Sequence, residues 1–306
     1  LERLGLVVID EQHKFGVLQR SRLIARGDAP DVLVMTATPI PRTITQTLYG
    51  DLDVSILKEK PAGRGAVITA VREPSKLPDI IKFLRQKVAE GRQAYVVYPL
   101  VEESEKLDVK SARVEFEKWT ELLAPATVGL IHGRLDADEK ELVMRKFREG
   151  AISVLVATTV IEVGVDVPNA CIMLIEEAGR FGLSQIHQLR GRIGRGAEKS
   201  YCILLQESPG EQAREKLGIL EKTSDGFEIA EADLRLRGPG DMLGTAQAGL
   251  PPLRLGDLIR DGELMTEARK VARGLLEADP FLADAGHEHF RKFVEKAGTQ
   301  LAVAEG

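Results

Sequence analysis

The sequence predicts an α/β protein: two doubly wound parallel sheets, the first partial and the second complete, followed by a carboxyl-terminal helical hairpin and tail. Three observations carry this. Short apolar runs alternate with longer segments of helical spacing, the pattern of a parallel sheet covered by helices. The runs stop at polar residues, as at Asp10-Glu11 and Thr36-Ala37-Thr38. Beyond about residue 209 strand-like runs disappear.

The first strand is Leu6 to Ile9 and the second Val32 to Met35. Pro61-Ala62-Gly63-Arg64-Gly65 holds turn formers and reads as a linker. A second set then begins with a strand at Val67–Arg72, a helix near 76–90 and a strand at Ala94–Pro99. A charged helix near 111–123, a strand at Thr127–His132 and a helix near 136–149 follow. Strands at Ser153–Ala157, Cys171–Glu176 and Tyr201–Gln206 complete the set, with a helix near 184–194 before the last. Helices near 209–222 and 226–237 form a hairpin across Ser224-Asp225-Gly226, ahead of a glycine-containing loop at 238–252. In the tail Leu264, Ala268, Val271 and Leu275 share one helical face and are expected to pack on the core. The expected domains are 1–62, 63–207 and 208–306.

A chain of 306 residues allows two domains, each with its own core. With 43% hydrophobic and 29% charged residues the composition is that of a globular protein, and no stretch is long enough to cross a membrane. Cys171 and Cys202 lie in apolar runs and read as core thiols, neither a disulfide framework nor a zinc site. That usage, with no visible signal peptide, points to the cytoplasm. The net charge of −5 argues weakly against a protein coated in nucleic acid, but charge is local. Residues 180–199 hold five basic residues (180, 190, 192, 195 and 199) against one acid, Glu198.

Four constellations carry chemistry. Asp10-Glu11-Gln12-His13 closes a strand, where open α/β sheets bind ligands. An Asp there can hold Mg²⁺ through its water shell, and an adjacent carboxylate can orient water; a wet strand end is the plainer alternative. Thr36-Ala37-Thr38 ends the next strand, and its hydroxyls either link the nucleotide end to a neighbouring surface or cap a turn. Ala157-Thr158-Thr159 leads into a turn at Gly164-Val165-Asp166; hydroxyls and amides at such an exit can hold nucleic-acid phosphates. His132 also follows a strand, where a lone His is more often structural. Finally, Gln188-Leu189-Arg190-Gly191-Arg192-Ile193-Gly194-Arg195 places Arg192 and Arg195 one turn apart if helical, with Gln188 a turn earlier. Two guanidiniums projected together suit the charge of a transferring phosphoryl group. A solvated basic helix end is the alternative.

In this order the four resemble motifs II, III, V and VI of superfamily 2 helicases, each at the strand end or following helix that such motifs require. Longer strings sharpen the resemblance: Ile9–Val17, Met35–Thr43, Glu162–Ala170 and Arg180–Gln185 are similar to the RecG family of bacterial ATP-dependent DNA helicases. The similarity runs to about residue 252 and thinly beyond. The transcription-repair coupling factor is the nearest alternative, but it usually has Asp-Glu-Glu-Gln where this chain has Asp-Glu-Gln-His. DEAD-box RNA helicases differ more, at both motif III and motif VI.

The resemblance implies RecA-like motor domains that couple ATP hydrolysis, with Mg²⁺, to movement along double-stranded or branched DNA. It assigns Asp10 to Mg²⁺ and Glu11 to the attacking water, both at the metal, and Arg192 and Arg195 to the γ-phosphate. His13, Thr36, Thr38, Gly164, Asp166 and Gln188 would sense nucleotide and couple it to motion. His132, Thr158 and Thr159 would meet the DNA backbone. A translocation motif, helical hairpin plus loop, corresponds to Gly226–Arg237 and the loop that follows, and gives Arg235, Arg237 and Gln247 to DNA. Ala246 stands where the family usually has a basic residue. The hairpin's plainer alternative is a packing device.

A phosphate-binding loop of the form G-x-x-x-x-G-K-[ST] would be expected before the acidic motif, and the chain contains no Gly-Lys pair. The expectation is therefore a carboxyl-terminal motor fragment, inactive alone as an ATPase, whose partner is the missing amino-terminal part of the same protein. Residues 1–60 are expected to expose unpaired strand edges. The competing reading is a non-enzymatic module that binds DNA or protein, since such sheets host many functions.

Overall fold

The apolar runs form strands in a computed structural model, which describes residues 4–10, 30–36, 55–57, 59, 63–99, 105–158, 166–207, 210–237 and 261–304. Two compact units are present: Leu1–Pro39 with Ile56–Gly238, and Ile40–Ser55 with Pro239–Gly306. In the first, β1 (Leu6–Asp10) pairs in parallel with β2 (Asp31–Met35). Six more strands make a second sheet: β3 (Val67–Arg72), β4 (Gln93–Val97), β5 (Val128–Ile131), β6 (Val154–Ala157), β7 (Ala170–Ile175) and β8 (Ser200–Leu205). Their order is β3-β8-β7-β4-β6-β5, and every pairing is parallel.

Parallel strands need crossovers, and here helices supply most of them. These are α1 (Leu77–Ala89), α2 (Glu105–Leu123), α3 (Ala137–Arg148) and α4 (Leu183–Arg190). Alternation along β4 divides the core. Ala94 and Val96 point to one face, where Ile80 and Leu84 of α1 and Trp119 and Leu123 of α2 cover them. Tyr95 and Val97 point to the other, against Met144 and Phe147 of α3 and Ile186 and Leu189 of α4. Covered on both sides, β4, β6 and β7 are buried at every residue, which is why they read as continuous apolar runs. The hairpin, α5 (Glu211–Lys222) and α6 (Gly226–Arg237), adds Leu217, Leu220, Ile229 and Ala232 to that second face. Helix α3 starts with a capping box: Asp136 Oδ1 accepts from the Glu139 N–H (2.7 Å), and Glu139 Oε2 from the Asp136 N–H (3.1 Å).

Helix α4 ends at Arg190, four residues before the predicted end. Gly191 and Gly194 are poor helix formers, and Gly194 takes φ +71°, outside the helical region. Arg192 and Arg195 therefore leave from a turn and not from one helical face.

The second unit contains α7 (Gly262–Ala278) and α8 (Glu288–Ala304). Asp279 organises the bend between them: its Oδ1 accepts from the Ala283 N–H (2.9 Å) and its Oδ2 from the Asp284 N–H (3.0 Å). Of the stripe expected to pack on the core, Leu264 (68%), Ala268 and Val271 (61%) are exposed and Leu275 is half-buried. Among the described residues no helix is long and apolar enough to cross a membrane.

Candidate functional site

Three places in the first unit gather the residues singled out by sequence. At the end of the β1–β2 ribbon the register sets Asp10 opposite Met35, so Thr36 lies one residue farther along the neighbouring strand. Asp10 and Thr36 are both exposed. Their acidic and hydroxyl oxygens are hard donors of the kind Mg²⁺ prefers. Glu11, His13 and Thr38 lie outside the described residues. The group of described side chains close enough to share an ion is instead Asp279, Asp284 and His287. There Asp279 is already occupied by two backbone N–H groups and by His287 Nδ1 at 2.8 Å.

The second place is the turn after α4. It is clamped at its base: the Gly65 N–H donates to Gly196 O (2.8 Å), and a Cβ on Gly65 would lie 1.8 Å from the Glu198 carbonyl oxygen. Ile193 is buried and anchors the turn from below. Arg195 then donates through Nε to Gly191 O (3.3 Å), and its Nη1 stands 3.3 Å from Asp166 Oδ1. Two sequence motifs some thirty residues apart thus meet as an ion pair. The buried Tyr95 phenol registers the cluster. Burial pushes it up to about 12, Arg192 and Arg195 draw it down, and Asp166 pushes it up. Gln188 is half-buried on α4, while Gly164 lies outside the described residues.

The adjoining Arg190 was not among the sequence candidates, and it is structural. The residue is only 5% exposed; its Nη1 donates to Leu220 O (2.9 Å) and Thr223 O (3.0 Å), and its Nη2 meets His187 Nδ1 (3.0 Å). These carbonyls close α5, where a helix presents unpaired acceptors and partial negative charge. At the other end of α4, Ser184 Oγ donates to Asp233 Oδ2 on α6 (3.0 Å). Lys216 of α5 donates to Gly179 O (3.0 Å), just ahead of α4. The hairpin is thereby tied to both ends of the helix that carries the arginine turn. Periodicity does not tell a buried arginine from a projecting one, so no sequence signal marks Arg190. Arg235 is exposed on α6; the side chain of Arg237 and all of Gln247 lie outside the described residues.

The third place is the carboxyl edge of the six-stranded sheet. Thr158 follows β6 and His132 follows β5, joined by the Thr158 N–H donating to Ile131 O (3.3 Å). Both are buried, and among the described residues Thr158 Oγ1 and His132 Nδ1 have no hydrogen-bond partner. Buried polar atoms are ordinarily satisfied, which makes these two candidates for contact with a bound group. Burial first, then Arg113, Lys140 and Arg134, hold His132 below its ordinary value, with Glu139 opposing. Three cations, from α2, the β5–α3 loop and α3, thus act on this imidazole, an arrangement suited to an anion. Sequence missed Arg113 because only packing brings α2 to this edge. Thr159 lies outside the described residues.

The helicase conserved C-terminal domain family matches residues 75–197, and the family described as ATP-dependent DNA helicase RecG, domain 3, C-terminal, matches residues 223–294. The chain is 54% identical over 282 residues to an ATP-dependent DNA helicase RecG from Synechocystis sp., covering 92% of this chain and 34% of that one. It is 46% identical to the Bacillus subtilis protein of the same name, covering 96% of this chain and 43% of that one. A structure of RecG bound to a three-way DNA junction matches 87% of this chain and 34% of its own at 45% identity, with a TM-score of 0.67. A yeast Dbp5 variant bound to RNA and ADP BeF3 shares the RecA-like fold alone, at 16% identity and a TM-score of 0.50 over 87% of this chain and 62% of that one. The chain therefore spans between about a third and two-fifths of the length of these curated relatives.

Proposed function

We propose, because this chain belongs to the RecG family of ATP-dependent DNA helicases, that it forms the carboxyl-terminal motor portion of a double-stranded DNA translocase. Its substrates are branched DNAs such as replication forks and Holliday junctions, remodelled during recombination and repair in the cytoplasm. The observation that carries this is the turn where Arg195 meets Asp166 beside Arg192, on a helix tied at both ends to the α5–α6 hairpin.

ATP is the substrate, and Mg²⁺, when bound, neutralises charge on its phosphates. Asp10 would hold that ion and Glu11 orient the attacking water. Arg192 and Arg195 would meet the γ-phosphoryl group as charge spreads over its oxygens. Asp166 pairs with Arg195 meanwhile and would yield it to the phosphate. Thr36, Thr38, His13, Gly164 and Gln188 would couple nucleotide state to the gap between motor domains. Thr158, Thr159 and His132 would grip the DNA backbone at the sheet edge, and Arg235, Arg237 and Gln247 would follow it from the hairpin and its loop. Because α4 is bonded to the hairpin, a shift of the arginines would be passed to the DNA-facing elements as a rigid-body movement. The phosphate-binding loop would come from the remainder of such a protein. The match of a RecG-specific domain to residues 223–294 favours this family over the transcription-repair coupling factor.

The test is DNA-stimulated ATP hydrolysis, by this chain alone and after mixing with a fragment supplying the phosphate loop. We expect no turnover alone and recovery on mixing, with Arg192→Ala or Arg195→Ala lowering the recovered rate by about 10³ or more. Turnover by the chain alone would overturn the reading.

A further inference from the structure

Among the described residues the carboxyl edge holds a third buried side-chain atom with no hydrogen-bond partner, Glu176 Oε1. Strand alternation places it with the other two. Residues 172 and 174 on β7, 94 and 96 on β4, and 154 and 156 on β6 face α1 and α2, as do 128 and 130 on β5. The next residues in phase are Glu176, Tyr98, Thr158 and His132. They form one row across adjacent strand ends, in the order β7, β4, β6, β5. Backbone pairing continues into the row, with the Glu176 N–H donating to Val97 O and the Tyr98 N–H to Ala157 O, both at 2.9 Å. Two strand spacings separate Glu176 from Thr158, about 10 Å.

We propose that Glu176 is the proton-linked member of this row, and that the edge holds the DNA backbone more tightly while the Glu176 carboxyl is neutral. The inference rests on the reading of Thr158 and His132 as DNA contacts. Its chemistry follows from what faces the carboxyl. From β4 comes Tyr98, whose hydroxyl donates to Glu115 Oε2 (2.6 Å) and accepts from Trp119 Nε1 (2.6 Å). From α2 come Glu115 and Lys118, paired with each other at 2.8 Å. Glu177 follows on the same strand end, in the left-handed region at φ 46°. Beyond Thr158 stand His132 and the cations about it, Arg113, Arg134 and Lys140, with Glu139 opposing. Lys118 is already engaged by Glu115, so the carboxyl of Glu176 has no cation to itself. Burial pushes it up to about 7; Glu115 and Glu177 add to this, while Lys118 and Tyr98 draw it down.

A phosphate held at Thr158 adds another negative neighbour, so the complex keeps its proton to higher pH than the free protein. By linkage, DNA binding takes up protons and weakens as pH rises. His132, held below its ordinary value by burial and the cations about it, loses its proton at lower pH than a free imidazole.

The experiment measures affinity of this chain for a fluorescent duplex between about pH 6.5 and 8.5 at about 0.1 M salt, where screening is moderate. We expect affinity to fall about three- to tenfold across that window, the size of a screened charge pair near 10 Å. Glu176→Gln should hold the low-pH affinity throughout. Calorimetry in two buffers of different ionisation enthalpy should show a fraction of a proton taken up by the parent and none by Glu176→Gln. If that variant fails to fold, the Glu176 carboxyl resonance in the parent serves instead, and its midpoint should rise when DNA is added. A flat parent profile, a pH slope kept by Glu176→Gln, or an unmoved midpoint would overturn the proposal. Unchanged binding after Thr158→Val would instead sink the DNA reading of the edge beneath it.

Discussion

Two parallel sheets in this chain start from similar sequence and end in different states. In the six-stranded sheet, both faces of β4, β6 and β7 are covered. In the β1–β2 ribbon, Val7 and Ile9 are buried, yet Leu6, Val8, Leu33 and Met35 on the opposite face are 57, 53, 51 and 41% exposed. The apolar runs are equally apolar in both places. Among the described residues the difference lies in what covers them, since a parallel sheet needs helices on both faces and α1 to α4 with the hairpin pack on the larger sheet. Burial is a property of the assembled layers, and the sequence of a strand records only that it expects a partner.

The sharpest way to break this comparison is to truncate one residue on each side of it. Phe147, wholly buried between α3 and the sheet, should cost about 3–5 kcal/mol as Phe147→Ala. Leu33→Ala on the open face of the ribbon should cost about 0.5 kcal/mol or less. Denaturant midpoints with unchanged slopes would report both. Equal losses would mean that the ribbon's outer face is packed as closely as the core.

The next contrast lies within one motif. Arg190→Ala strands the closing carbonyls of α5 and should cost about 2–4 kcal/mol of unfolding free energy. Arg192→Ala, from the adjoining turn, should stay within about 1 kcal/mol while removing the recovered ATPase activity. A stable Arg190→Ala protein would show that the hairpin is held by its apolar contacts and by the ties from Ser184 and Lys216 without help from Arg190.

One carboxylate from each unit should answer pH with opposite signs. Glu176 is raised from 4.5 to about 7, so its contribution to stability is complete below pH 4.5 and lost as pH rises through 7. Relative to Glu176→Gln, the parent should lose about 1–3 kcal/mol across that window. Asp279, held at about 2 first by His287 and then by the backbone N–H groups of Asp284 and Ala283, behaves in reverse. Its contribution stands above pH 3.8 and is lost as pH falls towards 2. Melting curves of the parent and Glu176→Gln, with Asp279→Asn beside them, separate the two.

Much of this is legible in the sequence because strand-end motifs announce themselves by position. The positions of the strands and the doubly wound class follow from apolar runs and their polar stops, and β3 falls where predicted, at Val67–Arg72. What is illegible depends on contacts far apart in sequence. Arg190, Arg192 and Arg195 look alike in a string, and only the carbonyls of Leu220 and Thr223 make the first a core residue. Helix α4 is shorter than its sequence suggests because the glycines that end it also fit a helix that approaches a neighbour closely. Glu176 reads as the last residue of a strand; its row with Tyr98, Thr158 and His132 exists only once β4 lies between β7 and β6.

The smallest effect concerns how the covering helices begin. Helix α3 is capped by its own side chains, and Asp136→Ala removes the acceptor for the Glu139 N–H. Such a cap is worth about 1 kcal/mol when exposed. Helix α4 has glycine at the same position, so a side chain from within must serve: Gln185 Oε1 accepts from the Gly182 N–H at 2.9 Å. Gln185→Ala leaves that N–H, which lies on a buried residue, without its acceptor and should cost at least as much as Asp136→Ala. The two differ in consequence. Loss of the α3 cap frays a helix whose work is to cover the sheet, whereas loss at α4 loosens the start of the helix that carries the arginine turn. Hydrogen exchange after each change should reveal it: protection lost only in the first turn of α3 for Asp136→Ala, but along α4 to Arg195 for Gln185→Ala. Fraying confined to the first turn in both would mean that the ties to α5 and α6 hold α4 without help from its cap.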